Sequence, residues 1–166
     1  MTYSGLREFI DLLEEQGELA RVSVPVDLNQ ELGAICVKSL RAAGPALFFE
    51  HPGSSDIPLL TNLLATRRRY AMALECEQGE TQREWNRRAD TPIPPVSVEQ
   101  GACQEVVFTG ADVDLTRLPA PIWNSLDGGP YLTLSCHHTT HPETGVRNVG
   151  IYRNQVHDAQ TLGILA

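Results

Sequence analysis

The pattern of this chain changes abruptly in its middle. Residues 79–100, "GETQREWNRRADTPIPPVSVEQ", are polar and proline-rich and carry no clean hydrophobic period. Helical and strand-like periods alternate before this stretch, and strand-like periods dominate after it. For a chain of 166 residues, such a break predicts an α+β protein in successive parts. The expected division is a small α/β domain over 1–78, a linker over 79–103 with a helical turn around Trp85, and a β-rich domain over 104–166.

The elements of the first part follow from spacing. Leu6, Phe9, Ile10 and Leu13 recur as on one helix face, with Ser4 as N-cap and Gly17 as stop. Val22, Val24 and Val26 alternate as in a strand with one buried face, and Pro25 on the opposite parity marks it as an edge. "NQELGAICVKSLRAAG" reads as a helix closed by Gly44. "PALFFEH" and "IPLLTNLLA" read as strands, and "TRRRYAMALECE" as a helix capped by Thr66. In the second part "QEVVFTG" opens the strands and "RLPAPIWNSLDGGP" is an irregular loop. "YLTLSCHHTTH" and "VRNVGIYRNQVHD" flank "PETG" as a long hairpin.

Charge and cysteine usage bound the partners. Lys plus Arg number 13 and Asp plus Glu 21, a formal net charge of −8. That excess of acid argues against general binding to nucleic acid or to an anionic membrane surface. The start "MTYSGLREF" lacks the pattern of a signal peptide, and no apolar run approaches membrane-spanning length. Cys36, Cys76, Cys103 and Cys136 are scattered without a CxxC pair, as in a reduced, cytoplasmic protein.

Several groups carry chemistry in principle. His137, His138 and His141 are close in sequence, but strand geometry sends His138 to the face opposite the other two. Solvated strand polarity accounts for them better than a metal site. Arg67, Arg68 and Arg69 read as a solvated basic turn at a helix start, where positive charge opposes the helix dipole. The loop Asp127–Pro130 reads as an ordinary turn or as a close approach to a ligand.

The stretch "RNVGIYRNQ", Arg147–Gln155, is richer. Asn148 offers a neutral oxygen suited to a hard cation, and Arg153 a planar fork suited to a carboxylate or phosphate. On a regular strand the two lie on opposite faces. A bulge at Gly150 would bring them to one site. Periodicity leaves two readings open: a ligand site, or an exposed polar strand face.

"LREFIDLLEEQGEL", "GPALFFEH", "IPLLTNLLATRRRYAMAL", "DGGPYLTL" and above all "PETGVRNVGIYRNQ" resemble, in order, the N-terminal part of the UbiD family of reversible decarboxylases. The resemblance implies a split β-barrel flavin-binding domain, here truncated, after the N-terminal α/β domain. It implies prenylated FMN held with Mn²⁺, with K⁺ nearby, and a small aromatic or α,β-unsaturated carboxylic acid as substrate. Carried across, Asn148 matches a metal ligand, Ile151, Tyr152 and Arg153 match the segment that contacts the flavin, and Arg153 matches the arginine beside the substrate carboxylate.

Family members are longer. They carry further flavin contacts, a glutamate metal ligand, catalytic acids and an oligomerisation domain beyond the segment matching "GIYRNQ". The expectation is therefore an N-terminal fragment or subunit, inactive alone, that forms a homo-oligomer or joins a complementing C-terminal chain. The apolar end "TLGILA" points to association as well. The alternative is a non-catalytic assembly or regulatory subunit related to such decarboxylases.

Overall fold

The computed structural model describes residues 3–164. The last two residues of "TLGILA" therefore lie outside the described part. The fold is α+β, as expected. Helices α1 (Leu6–Glu15), α2 (Glu31–Arg41), α3 (Arg67–Leu74) and α4 (Thr81–Asp90) accompany strands β1 (Leu19–Val22), β2 (Ala46–Phe49), β3 (Leu59–Thr61), β4 (Tyr131–Leu132), β5 (Cys136–Thr140), β6 (Arg147–Ile151), β7 (Asn154–Val156) and β8 (Leu162–Ile164). The strands form three sheets, ordered β1-β2-β3, β4-β7-β8 and β5-β6. No closed barrel forms among the described residues. Contacts divide the chain into two compact units, one of residues 1–22, 36–48 and 60–108, the other of 23–35, 49–59 and 109–166.

In the first unit α1 places Phe9 and Leu13 against Leu19 and Ala46, with Ile10, Leu12, Phe48, Leu60 and Met72 around them. Burying such side chains contributes about 1.5–3 kcal/mol each. The helix starts one residue later than Ser4 allows for an N-cap. Gly5 occupies the cap, and Ser4 instead donates from its backbone N and Oγ to Glu8, at 2.6 and 2.8 Å. Those two donations hold the Glu8 carboxyl below its ordinary range. The helix ends at Gly17 (φ +67°), with Glu18 N on Leu13 O and Gly17 N on Glu14 O, the paired bonds of a Schellman motif.

Helix α3 is capped as its sequence predicts, Thr66 Oγ1 accepting from Arg69 N at 3.2 Å. The Arg69 side chain overturns the reading of a solvated basic turn. It is 1% exposed and donates to Glu18 Oε2 (2.9 Å), Gly44 O (3.0 Å), Leu63 O (3.1 Å) and Asn62 O (3.2 Å). Arg68 adds a second ion pair to Glu18 at 3.0 Å. A planar fork with five donors can serve such a spread of acceptors, which a lysine cannot.

Two expectations from the middle of the chain change. Residues 81–90, expected as linker with one helical turn, form the whole of α4. Glu84 bonds Arg87 and Arg88 at 2.7 Å each, three and four residues on, and Arg88 reaches Leu74 O at 2.7 Å. Side-chain hydrogen bonds from Arg87 and then Arg88 pull the Glu84 carboxyl down to about 2. Charge pairing thus supplies the helix signal that hydrophobic period lacks. Residues 105–109 of "QEVVFTG", in contrast, form no strand, and Val106 and Val107 are exposed. Strand propensity is realised only beside a pairing neighbour, and none of the described strands pairs with this segment. The strand expected over 19–26 likewise stops at Val22; Val26 makes only an isolated bridge to Pro52.

In the second unit the loop after Pro119 is anchored by the backbone. Ile122 N bonds Leu28 O and Gln30 N bonds Ile122 O, at 3.0 and 2.9 Å. The loop packs closely on Gly33, where a Cβ would lie 3.0 Å from Trp123 O.

Candidate functional site

The long hairpin forms, but in two parts. Strands β5 and β6 pair in an unbroken antiparallel register, from Cys136 opposite Ile151 to Thr140 opposite Arg147. Strands β4 and β7 pair Tyr131 with Gln155 and Leu132 with Asn154. Between the two ladders Thr133–Ser135 on one strand face only Tyr152 and Arg153 on the other. The register therefore breaks at Tyr152–Arg153. The bulge expected at Gly150 is absent, and His137 sits directly opposite that glycine.

Gly150 has a different reason to be glycine. A Cβ there would run into the Tyr152 ring. The ring folds back over Gly150 and meets the His137 ring edge-on, centroids 5.6 Å apart at 72°. His137 Nε2 lies 3.0 Å from Asn154 Oδ1, a bond that requires the proton on Nε2. Asn154 is 3% exposed. Since opposite residues of an antiparallel pair share a face, Asn148 lies with Thr139 on the face that carries Gly150 and His137. Val149 and Ile151 occupy the other face, both exposed.

Arg153 is placed by a separate set of contacts. Its guanidinium carbon lies over the Tyr131 ring, 5.0 Å from the centroid. Tyr131 Oη donates to Gln155 Oε1 at 3.0 Å, and Gln155 Nε2 donates to Gly128 O at 2.9 Å. The structure thus brings Tyr152 together with His137, and Arg153 together with Tyr131. Asn148 is exposed on β6, opposite Thr139.

The three histidines divide. His137 is engaged as described, and His141 Nδ1 accepts from Glu143 N and Thr144 N in the turn, at 3.2 and 3.3 Å. Only His138 fits the reading of solvated strand polarity. No group of three His, Cys, Asp or Glu converges on a metal position among the described residues. The exposed Asn148 amide offers a single hard oxygen, so a divalent cation there would take its other ligands from other groups. The exposed Ile151 offers an apolar surface of the kind that a ring cofactor can cover. None of Asn148, Ile151, Tyr152 and Arg153 lines the cleft of about 580 Å³ among Leu12, Arg68, Met72 and Cys76, or that of about 250 Å³ among Leu28, Ser55, Thr116 and Arg117. Asn148 and Ile151 lie exposed on opposite faces of β6, and Arg153 follows the register break, so the four candidates do not converge on one enclosed pocket among the described residues.

Sequence reasoning missed Tyr131, His137 and Gln155 as members of this cluster. Asn154 and Gln155 close the motif that drew attention, yet their partners lie 17 and 24 or more residues away. Only the register of the hairpin reveals them.

Residues 10–89 match the 3-octaprenyl-4-hydroxybenzoate carboxy-lyase N-terminal domain, and residues 95–166 match the 3-octaprenyl-4-hydroxybenzoate carboxy-lyase Rift-related domain. The fold is similar to that of an evolved dimeric form of the UbiD-class enzyme HmfF from Pelotomaculum thermopropionicum in complex with prFMN, at 31% identity and a TM-score of 0.88 over 96% of this chain and 38% of that one. The closed form of the vanillic acid decarboxylase of Sedimentibacter hydroxybenzoicus is 32% identical, with a TM-score of 0.88 over 100% of this chain and 38% of that one. The apo 3,4-dihydroxybenzoic acid decarboxylase of Enterobacter cloacae is 28% identical, with a TM-score of 0.85 over 96% and 36% of the two chains. The chain belongs to the UbiD family of decarboxylases, and it corresponds to their N-terminal portion. It spans 36–38% of the length of these three solved structures.

Proposed function

We propose that this chain is the N-terminal portion of a reversible decarboxylase that uses prenylated FMN, with Mn²⁺ and K⁺, on small aromatic or α,β-unsaturated carboxylic acids. The observation that carries this reading is the agreement of 96% of the chain with a UbiD-class enzyme that holds prFMN. Strands β4–β8 would begin a split β-barrel. Asn148 would give its amide oxygen to the metal. Ile151 and Tyr152 would lie against the flavin. Arg153 would orient the substrate carboxylate. When bound, the flavin supplies the sink for the electron pair left on carbon as CO₂ departs. The chain's own share is to hold the carboxylate in line for cleavage and to screen its charge. The proton for that carbon would come from acids outside this portion.

The candidate residues do not converge on one enclosed pocket among the described residues, which supports a site completed by the rest of the family fold, in the same chain or a complementing one. The exposed Val149 and Ile151 and the dimeric form of the HmfF relative support an oligomer. Four free thiols support a cytoplasmic setting. No helix among the described residues is long and apolar enough to cross a membrane.

The test is decarboxylation of an aromatic and an unsaturated acid by the chain alone and by the chain joined with the remaining portion. CO₂ release is expected only from the joined enzyme. Release by the chain alone would remove the fragment reading. A joined assembly that binds flavin but releases no CO₂ would favour the non-catalytic alternative.

We also propose that the boundary between the two domains lies within 79–103. The two family matches leave residues 90–94 between them, and residues 91–100 are wholly exposed and irregular. Ile93 and Val96 are each 87% exposed. Thermolysin is expected to cut first at Ile93, Val96 or Val98, because exposed irregular backbone fits a protease cleft. First cleavage inside residues 20–70 would contradict this boundary.

A further inference from the structure

We propose that Tyr131 is a positioning residue for Arg153, held in that role by Gln155 and the Gly128–Gly129 turn; the inference rests on the reading of Arg153 as the group that meets a substrate carboxylate. An exposed arginine samples many rotamers, and ordering it costs much of the gain from the bonds it makes. Here the guanidinium carbon lies over the Tyr131 ring, 5.0 Å from its centroid. A guanidinium held over a ring interacts with it through its charge rather than through its N–H donors, which stay available for a carboxylate.

The ring itself is fixed on several sides. Tyr131 pairs with Gln155 across β4 and β7. Its N–H bonds Pro121 O at 2.9 Å, and its carbonyl accepts from Trp123 Nε1 at 3.4 Å. Its hydroxyl donates to Gln155 Oε1 at 3.0 Å. The Gln155 amide is then locked at its other end, Nε2 donating to Gly128 O at 2.9 Å. The two glycines leave room for that amide. A Cβ on Gly128 would lie 3.2 Å from Gln155 Nε2, and one on Gly129, where φ is +157°, would lie 3.1 Å from it. The glycine turn, the glutamine, the tyrosine and the arginine thus form one line of contact from a backbone carbonyl to the guanidinium.

The first test uses the 166-residue chain and reads the Arg153 Nε–Hε resonance by NMR. The expected Hε shift lies upfield of free arginine, from the ring current of Tyr131. Tyr131→Phe, which keeps the ring but loses its bond to Gln155, moves that shift only part of the way to the free position. Tyr131→Leu returns it to the free position, and Gln155→Met moves it part of the way, with the β5–β6 amide resonances as a folding control. A wild-type shift already at the free position, which needs no variant to fold, overturns the proposal, as does a shift unchanged in Tyr131→Leu. The second test uses the joined, flavin-loaded enzyme. Tyr131→Leu is expected to raise KM for the acid about two- to fivefold, the range for an exposed cation–π contact, at unchanged flavin content, and Tyr131→Phe, which keeps the ring but not the bond to Gln155, to recover part of that loss. Should Arg153→Ala leave decarboxylation intact while the NMR result holds, the functional reading fails and the positioning of Arg153 stands.

Discussion

Replacing Arg153 by alanine in the joined decarboxylase is expected to cut turnover about tenfold to a hundredfold while leaving most of the flavin in place. That range corresponds to losing a charge-assisted hydrogen bond of about 1.5–3 kcal/mol. Arg153→Lys is expected to recover little, since an ammonium group cannot reproduce two parallel bonds to one carboxylate. Asn148→Ala is expected to act in the opposite order. It removes a hard oxygen ligand, so metal-dependent flavin binding should weaken first and turnover should follow it. Flavin occupancy by absorbance and CO₂ release, measured side by side for the three variants, separate the roles. If both alanine variants keep full occupancy and full rate, neither residue has the role given to it.

The largest effect on stability is expected at Arg69. Arg69→Met keeps most of the side-chain volume but leaves the carbonyls of Gly44, Asn62 and Leu63 without this donor and Glu18 with only the half-exposed Arg68 as ion partner. Breaking a buried charge pair by removing one member costs about 3–5 kcal/mol. At about 2–4 °C per kcal/mol for a chain of this size, the melting midpoint should fall by roughly 6–20 °C. Arg69→Lys should recover only part of this, because one ammonium cannot span the same acceptors. Arg68→Met removes only a half-exposed partner of Glu18 and should shift the midpoint far less. Thermal unfolding followed by circular dichroism checks the three variants. Equal, small shifts for Arg68→Met and Arg69→Met would contradict the anchoring role.

These two arginines also mark what the sequence could disclose. Helices α1 and α3 were legible because their signals are local: apolar residues at helical spacing, a stop at Gly17, a cap at Thr66. The pairing of β5 with β6 was legible because alternation and the turn at "PETG" fix it between near neighbours. Arg69 was not legible. Its carboxylate partner, Glu18, is 51 residues away, and nothing local distinguishes it from the exposed Arg68. The Gly150 reading failed for a related reason. A glycine in a strand signals either a bulge or a close approach, and only the position of the Tyr152 ring decides between them. At the candidate site, Asn148, Ile151, Tyr152 and Arg153 were found through the motif. The residues that meet Tyr152 and Arg153, namely His137 and Tyr131 with its partner Gln155, needed the register of the hairpin. Helix α4 shows the converse case: its helix signal lies in the spacing of Glu84, Arg87 and Arg88, which a search for hydrophobic period passes over.

The central claim is that this chain supplies part of a prenylated-FMN site. It is tested most directly by native mass and visible spectrum of the protein purified from cells that make prenylated FMN, with and without the remaining portion of the enzyme. A bound flavin mass and a flavin absorption band are expected in the joined assembly, both diminished by Asn148→Ala. A folded, joined assembly that carries neither flavin mass nor flavin absorption would contradict it.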